Sequence, residues 1–292
     1  MKPTIGIIGG CGPLATVDIE YKILKVTQRL LHPLVDQDYF NLVVYNRTQF
    51  YDRNDAIIFG QRDLFEEYLS CTKALISIGV DMILIACQTA HVYLPTLQKH
   101  TTIPIIDIVQ ETSLYTSQIV PQISKIGILS TEATQREKLY QESLFPYGIE
   151  VITVSPQIQK KLMEAIYIIK TGVNLVDKRS VMANEHYSMA NEEKYYDLKN
   201  HPYKRILLKE SIPNPIIIIK ESIDYLISYG CTYVILGCTE LPLILPHINI
   251  NDLDVNLIDP NTVVAESVVK LAHKLEQINY IEKQNKKYVT RR

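Results

Sequence analysis

Two stretches of the chain end a short apolar run in a cysteine and follow it with a threonine-containing polar turn: ILIACQTAH, Ile83 to His91, and VILGCTELP, Val234 to Pro242. A run of about four to six branched apolar residues between charged flanks has the pattern of a buried strand. In an open parallel sheet, ligands bind at the carboxyl ends of strands. Cys87 and Cys238 are therefore expected at strand ends, beside backbone N–H groups of a turn that can start a helix and lower a thiol pKa. Two thiols so placed, one in each half of the chain, suggest a pair of facing acid–base groups. Acid–base work of that kind needs a fraction of the sulfur ionised. An ordinary thiol is only a few per cent ionised at about pH 7, so helix N-termini or cations must raise that fraction.

Other residues could bind rather than react. The polar loop Asn46 to Asp55 follows a second apolar run and carries Arg47 and Arg53. Arginine just past a strand end suits bidentate carboxylate recognition, although most loop arginines are simply solvated. The GGCG turn, Gly9 to Gly12, leads into a helix opened by Pro13, an arrangement that can hold an anion. A tight strand-to-helix turn without a ligand explains it as well. It is neither G-x-G-x-x-G nor a P-loop, so nothing favours a nucleotide.

These residues need elements to hold them. The first half reads as a strand Thr4 to Ile8, a helix Pro13 to Leu24, a strand Phe40 to Tyr45, and a helix Asp63 to Gly79 that takes Cys71 into its core. The first cysteine strand, a helix Val92 to Gln98 and a strand Ile103 to Asp107 follow. Lys125 to Thr131 opens a second copy: a strand, a helix Glu132 to Leu144, a strand Tyr147 to Thr153, a helix Gln157 to Lys170, a helix Ile216 to Gly230, then the second cysteine strand. Ile5 precedes Cys87 by 82 residues, whereas Ile126 precedes Cys238 by 112. The excess falls in a polar, tyrosine-bearing insertion at about 174–209, read as a partly helical lid, an oligomer contact or a plain surface excursion. After Pro242 a loop runs to NLIDP, Asn256 to Pro260, and then to a helix Thr262 to Leu275, capped by Asn261 or Thr262, which would pack back on the first half. The fold class is therefore α/β.

Composition limits the partners. Of 292 residues, 47% are apolar and 21% charged, with a formal net charge of −2. Nothing there favours nucleic acid or an anionic membrane surface. No uncharged apolar stretch approaches the roughly 18–20 residues of a membrane span. The opening MKPTIGIIGGC has too short an apolar region for a lipoprotein signal, so a cytoplasmic protein is expected. Five cysteines, an odd number without a C-x-x-C pair, support neither a disulfide framework nor structural zinc.

With both cysteine turns placed, the chain resembles the aspartate/glutamate racemase family of cofactor-independent racemases. The resemblance rests on GIIGGCGPLAT (Gly6 to Thr16), Asp52-Arg53, ACQTAH (Ala86 to His91) and LGCTEL (Leu236 to Leu241), with ILSTEAT (Ile128 to Thr134) a looser fifth. It implies two pseudo-symmetric α/β domains, 1–110 with 258–292 and 111–257, each a mainly parallel sheet flanked by helices. The active site would lie in the cleft between them, often in a homodimer, with no cofactor and no metal. Cys87 and Cys238 would be the two bases. Arg53, and less directly Lys170, would hold the side-chain carboxylate of aspartate or glutamate. Gln88, Thr89, Thr131, Thr239 and the backbone of Gly10 would hold the α-carboxylate or amino group, with His91 and Glu240 supporting. Three departures stand out. Cys11 replaces the family's usual methionine, a change expected to affect packing alone. Gln88 replaces asparagine, and the insertion is long. A broad-specificity racemase, an isomerase or decarboxylase of dicarboxylic acids, and a silent amino-acid-binding protein are the rival readings.

Overall fold

A computed structural model describes residues 2–119, 123–171, 200–208, 212–249 and 253–289. Most of the expected insertion, residues 174–199 and 209, lies outside the described residues. The chain divides into two compact units, Met1–Thr116 with Pro260–Arg292, and Ser117–Asp259.

In the first unit the strands are β1 (Thr4–Gly9), β2 (Asn41–Asn46), β3 (Met82–Ile85) and β4 (Ile105–Ile106). They form a parallel sheet in the order β2-β1-β3-β4. Ile5 stands opposite Leu42 on one side and Met82 on the other, and Leu84 stands opposite Ile106. The central strands are apolar on both faces because helices cover both: Ile5, Ile7, Ile8 and the whole of β3 are buried. The second unit repeats this with β5 (Lys125–Ser130), β6 (Glu150–Thr153), β7 (Tyr233–Gly237) and β8 (Asn256–Ile258) in the order β6-β5-β7-β8, again parallel. The expected α/β architecture of two mainly parallel sheets flanked by helices is thus found.

The helices of the first unit are α1 (Pro13–Leu31), α2 (Arg53–Phe59), α3 (Phe65–Ile78), α4 (Leu94–Gln98) and α5 (Ile108–Ile119). Helix α1 runs a further two turns beyond the expected Leu24 and stops at His32, which is left-handed at φ 48. Its buried face is Ala15, Thr16, Ile19, Ile23, Val26 and Thr27. The second unit contributes α6 (Glu132–Arg136), α7 (Leu139–Leu144), α8 (Pro156–Lys170) and α9 (Pro215–Ser228). The single helix expected over Glu132 to Leu144 is broken because Lys138 takes a left-handed φ of 52 between α6 and α7.

The last helix, α10, spans Pro260–Val289 and packs along α1. It begins before Asn261 and Thr262, so neither is the cap the sequence suggested. Asn261 is instead buried inside the helix start, its Nδ2 donating to Asp18 Oδ2 at 2.8 Å. Arg29 donates to Glu266, and Ser267 Oγ donates to Glu111 Oε2 at 2.6 Å, fixing α10 to α1 and α5. Among the described residues no helix is long and apolar enough to cross a membrane.

Candidate active site

Cys87 follows β3 and Cys238 follows β7, the equivalent strands of the two sheets. The two turns also share a backbone geometry. Cys87 N donates to Ile85 O at 2.8 Å, and Cys238 N donates to Leu236 O at 2.8 Å. After each cysteine the chain enters a 3-10 segment, Thr89–Tyr93 in one unit and Leu241–His247 in the other. Both thiols are buried. Cys71 and Cys231 lie in the apolar cores, and all five cysteines are reduced.

In the first unit, the glycine turn after β1 brings Cys11 to Cys87. Gly10 is left-handed at φ 92, and a Cβ there would lie 2.1 Å from Arg47 O, so only glycine fits. Its N–H donates to Thr16 Oγ1 at 3.0 Å, which in turn donates to Gly12 O at 3.0 Å. Next in the turn, Cys11 Sγ lies 3.0 Å from Tyr68 Oη and within hydrogen-bonding reach of the Cys87 thiol.

Arg53 opens α2, whose N-cap Asp52 accepts from Asn54 N at 2.9 Å and Asp55 N at 3.2 Å. Its guanidinium is 6% exposed, donating through Nη2 to Cys11 O and through Nη1 to Tyr51 O at 3.2 Å. Among the described residues, its Nε–H is a buried donor without a partner. Burial works against this charge, but the acidic surroundings of Cys11, Cys87, Tyr68 and Asp52 outweigh it and hold the guanidinium above its usual range.

His91 has a structural assignment. Nδ1 lies 2.8 Å from Cys87 O, and Nε2 accepts from Ile108 N at 3.2 Å. A ring that accepts at Nε2 must carry its proton on Nδ1, so the imidazole is neutral and ties the cysteine turn to the start of α5. Gln88 and Thr89, within that turn, are buried.

In the second unit, Cys238 Sγ donates to Glu240 Oε2 at 2.9 Å, and Thr239 Oγ1 donates to the same oxygen at 3.2 Å. Glu240 is 3% exposed, and Lys170 Nζ, at the end of α8, lies 3.7 Å from its Oε1. The sequence led us to expect a lowered thiol pKa at such a strand end. The Cys238 thiol is instead pushed well above its ordinary range, first by burial and then by the Glu240 charge, with Lys170 opposing. Thr131 caps α6, its Oγ1 accepting from Thr134 N at 3.2 Å. Beyond Lys170, the 3-10 segment Lys204–Leu208 lies against α8. Tyr203 stacks on Tyr167 and donates to Glu132.

Among the described residues, no three His, Cys, Asp or Glu side chains gather to hold a metal ion. Sequence reasoning missed Tyr68 and gave Cys11 only a packing role. A tyrosine on the inner face of α3 was the available signal, because a buried phenol needs a hydrogen-bond partner.

The broad specificity amino-acid racemase RacX of Bacillus subtilis (strain 168) is 32% identical over 149 residues, covering 51% of this chain and 63% of that protein. A glutamate racemase of Persephonella marina (strain DSM 14350 / EX-H1) is 24% identical over 195 residues, covering 63% and 58%. The matches thus span about three-fifths of the length of these relatives. Among solved structures, the Picrophilus torridus aspartate racemase superposes with a TM-score of 0.67 at 23% identity, covering 93% of this chain and 94% of that one. A glutamate racemase from Francisella tularensis subsp. tularensis SCHU S4, in complex with D-glutamate, gives 0.59 at 18% identity, covering 94% and 82%. At those identities the likeness speaks for the fold. The sequence speaks for the lineage: residues 8–193 match the model of the Asp/Glu/hydantoin racemase family, well over half of the chain, and the chain belongs to that family.

Proposed function

We propose that the protein is a cofactor-independent amino-acid racemase, an isomerase in which Cys87 and Cys238 act as two bases on opposite faces of one substrate Cα. The observation that carries this reading is the repetition. Equivalent strands end in buried cysteines with the same backbone turn, one near Arg53 and the other near Lys170 and Glu240.

In one direction the Cys87 thiolate takes the α-proton and the Cys238 thiol protonates the opposite face. In the other direction Cys87 starts protonated: Cys238 passes its own proton to Glu240, takes the α-proton as a thiolate, and the Cys87 thiol returns one to the opposite face. Each turnover moves one proton off carbon and one on, and the electron pair left between those steps is delocalised onto the α-carboxylate. Thr89, Thr131, Thr239, Gln88 and the Gly10 backbone are the proposed partners of the α-carboxylate and amino group.

Aspartate or glutamate is the proposed substrate. The support is Arg53: a buried guanidinium with an unpartnered Nε–H costs stability unless an anion takes it. A broad-specificity racemase is the second reading, favoured by the similarity to RacX. We further infer a cytoplasmic homodimer, checked by cell fractionation and sedimentation velocity.

The test is incubation with L-aspartate and, separately, L-glutamate in D2O, following the α-proton by NMR. Loss of that signal with formation of the D-isomer, abolished in both Cys87→Ala and Cys238→Ala, is expected. Exchange only with neutral or basic amino acids would replace the acidic specificity by the broad one. Silence across a full panel would leave an amino-acid-binding protein.

A further inference from the structure

Cys11 has no place in a two-base reaction, yet the fold builds a polar cluster around it. Its Sγ contacts both Tyr68 Oη and the Cys87 thiol, and its carbonyl accepts from Arg53. Tyr68 is fully buried, its ring stacked on Phe50 at 4.6 Å and on Tyr93 at 5.5 Å, so its hydroxyl is held in place. The two cysteine environments therefore differ in kind. Cys238 sits against a carboxylate, which accepts its proton. Cys87 sits against a thiol that itself contacts a phenol, with a cation alongside.

We propose that Cys11 is a positioning residue that donates its S–H to a Cys87 thiolate, with the Tyr68 O–H donating to Cys11 and Arg53 supplying the positive charge. The two sulfurs then share one proton at rest. When Cys87 takes the substrate's α-proton the pair holds two, and Cys11 keeps its own throughout. Burial drives both the Cys11 thiol and the Tyr68 phenol upward, which keeps each protonated as a donor. His91, from the segment after Cys87, meets that residue at its backbone carbonyl, and both its ring nitrogens are engaged by backbone. Asp52 supports the Arg53 charge. A thiol is a weak donor, so an effect of about tenfold, one pH unit, is the expected scale.

The proposal rests on the racemase reading only for its catalytic consequence, and its test needs no substrate. The far-ultraviolet thiolate absorbance is titrated against pH, with the matching Cys87→Ala background subtracted so that Cys87 alone is read. Cys11→Ala and Cys11→Met should lower the Cys87 thiolate fraction at neutral pH about tenfold, and Cys11→Ser, which restores a donor, should recover most of it. Tyr68→Phe keeps the ring stack and should lower the fraction about threefold, which carries the test if Cys11→Ala does not fold. Unchanged titration in Cys11→Met or Tyr68→Phe overturns the proposal, as does Cys11→Ser behaving like Cys11→Met. Proton exchange in D2O with an unchanged titration would overturn the Cys11 role while leaving the racemase intact.

Discussion

Glu240 is the residue on which the second thiol depends. A carboxylate this buried stays charged only if its surroundings compensate it. Cys238, Thr239 and Lys170 do so from three directions. The signs for a variant follow. Glu240→Gln removes the anion that helps drive the Cys238 thiol up, so the Cys238 titration midpoint should fall, while Lys170→Met should raise it. Catalysis should move the other way in Glu240→Gln. On the proposed mechanism the variant lacks its proton acceptor, and α-proton exchange should slow about a hundredfold despite the more acidic thiol. Thiolate absorbance and D2O exchange measured on the same preparation separate the two effects. If exchange is unchanged, Glu240 is a buried counter-charge and no more.

The turn between β1 and α1 shows how strictly an element can be specified. Gly10 and Arg47 pass so closely that Gly10→Ala forces a Cβ into a backbone carbonyl at an unfavourable φ. It should cost about 3 kcal/mol or more and lower Tm by about 6 °C or more, read by calorimetry. That turn was legible in the sequence as GGCG after an apolar run, and so were the two cysteine strands, because buried parallel strands are apolar without interruption. Helix α5 was not legible. Its buried positions include Thr112, Ser113 and Thr116, and Thr112 and Thr116 satisfy their hydroxyls on carbonyls one turn back, so no apolar period marks it. The break at Lys138 was hidden for the opposite reason, since side-chain spacing runs on across a single left-handed residue. Nor could the Cys11–Tyr68–Cys87 cluster be read. Its members are far apart in sequence, and the parallel register of β1 against β3 brings the two turns together.

At the scale of the whole molecule, the chain leaves the first unit after Thr116, builds the second, and returns at Pro260. The returning helix buries Val264, Ala265, Val268, Val269 and Ala272 and supplies the contacts to α1 and α5 described above. Truncation before Pro260 should therefore remove slow hydrogen exchange from β1 to β4 while leaving it in β5 to β8. Uniform loss across both sheets would mean that the two units share one cooperative transition. A ribosome reads this chain from the other end of the problem. The inner stripe of α1 emerges well before its cover, α10, is translated. At about 5–20 residues per second the wait lasts roughly 10–50 s, during which the second unit can fold and the first cannot finish. Nascent chains of this protein should thus be chaperone clients through α1 until α10 has been translated.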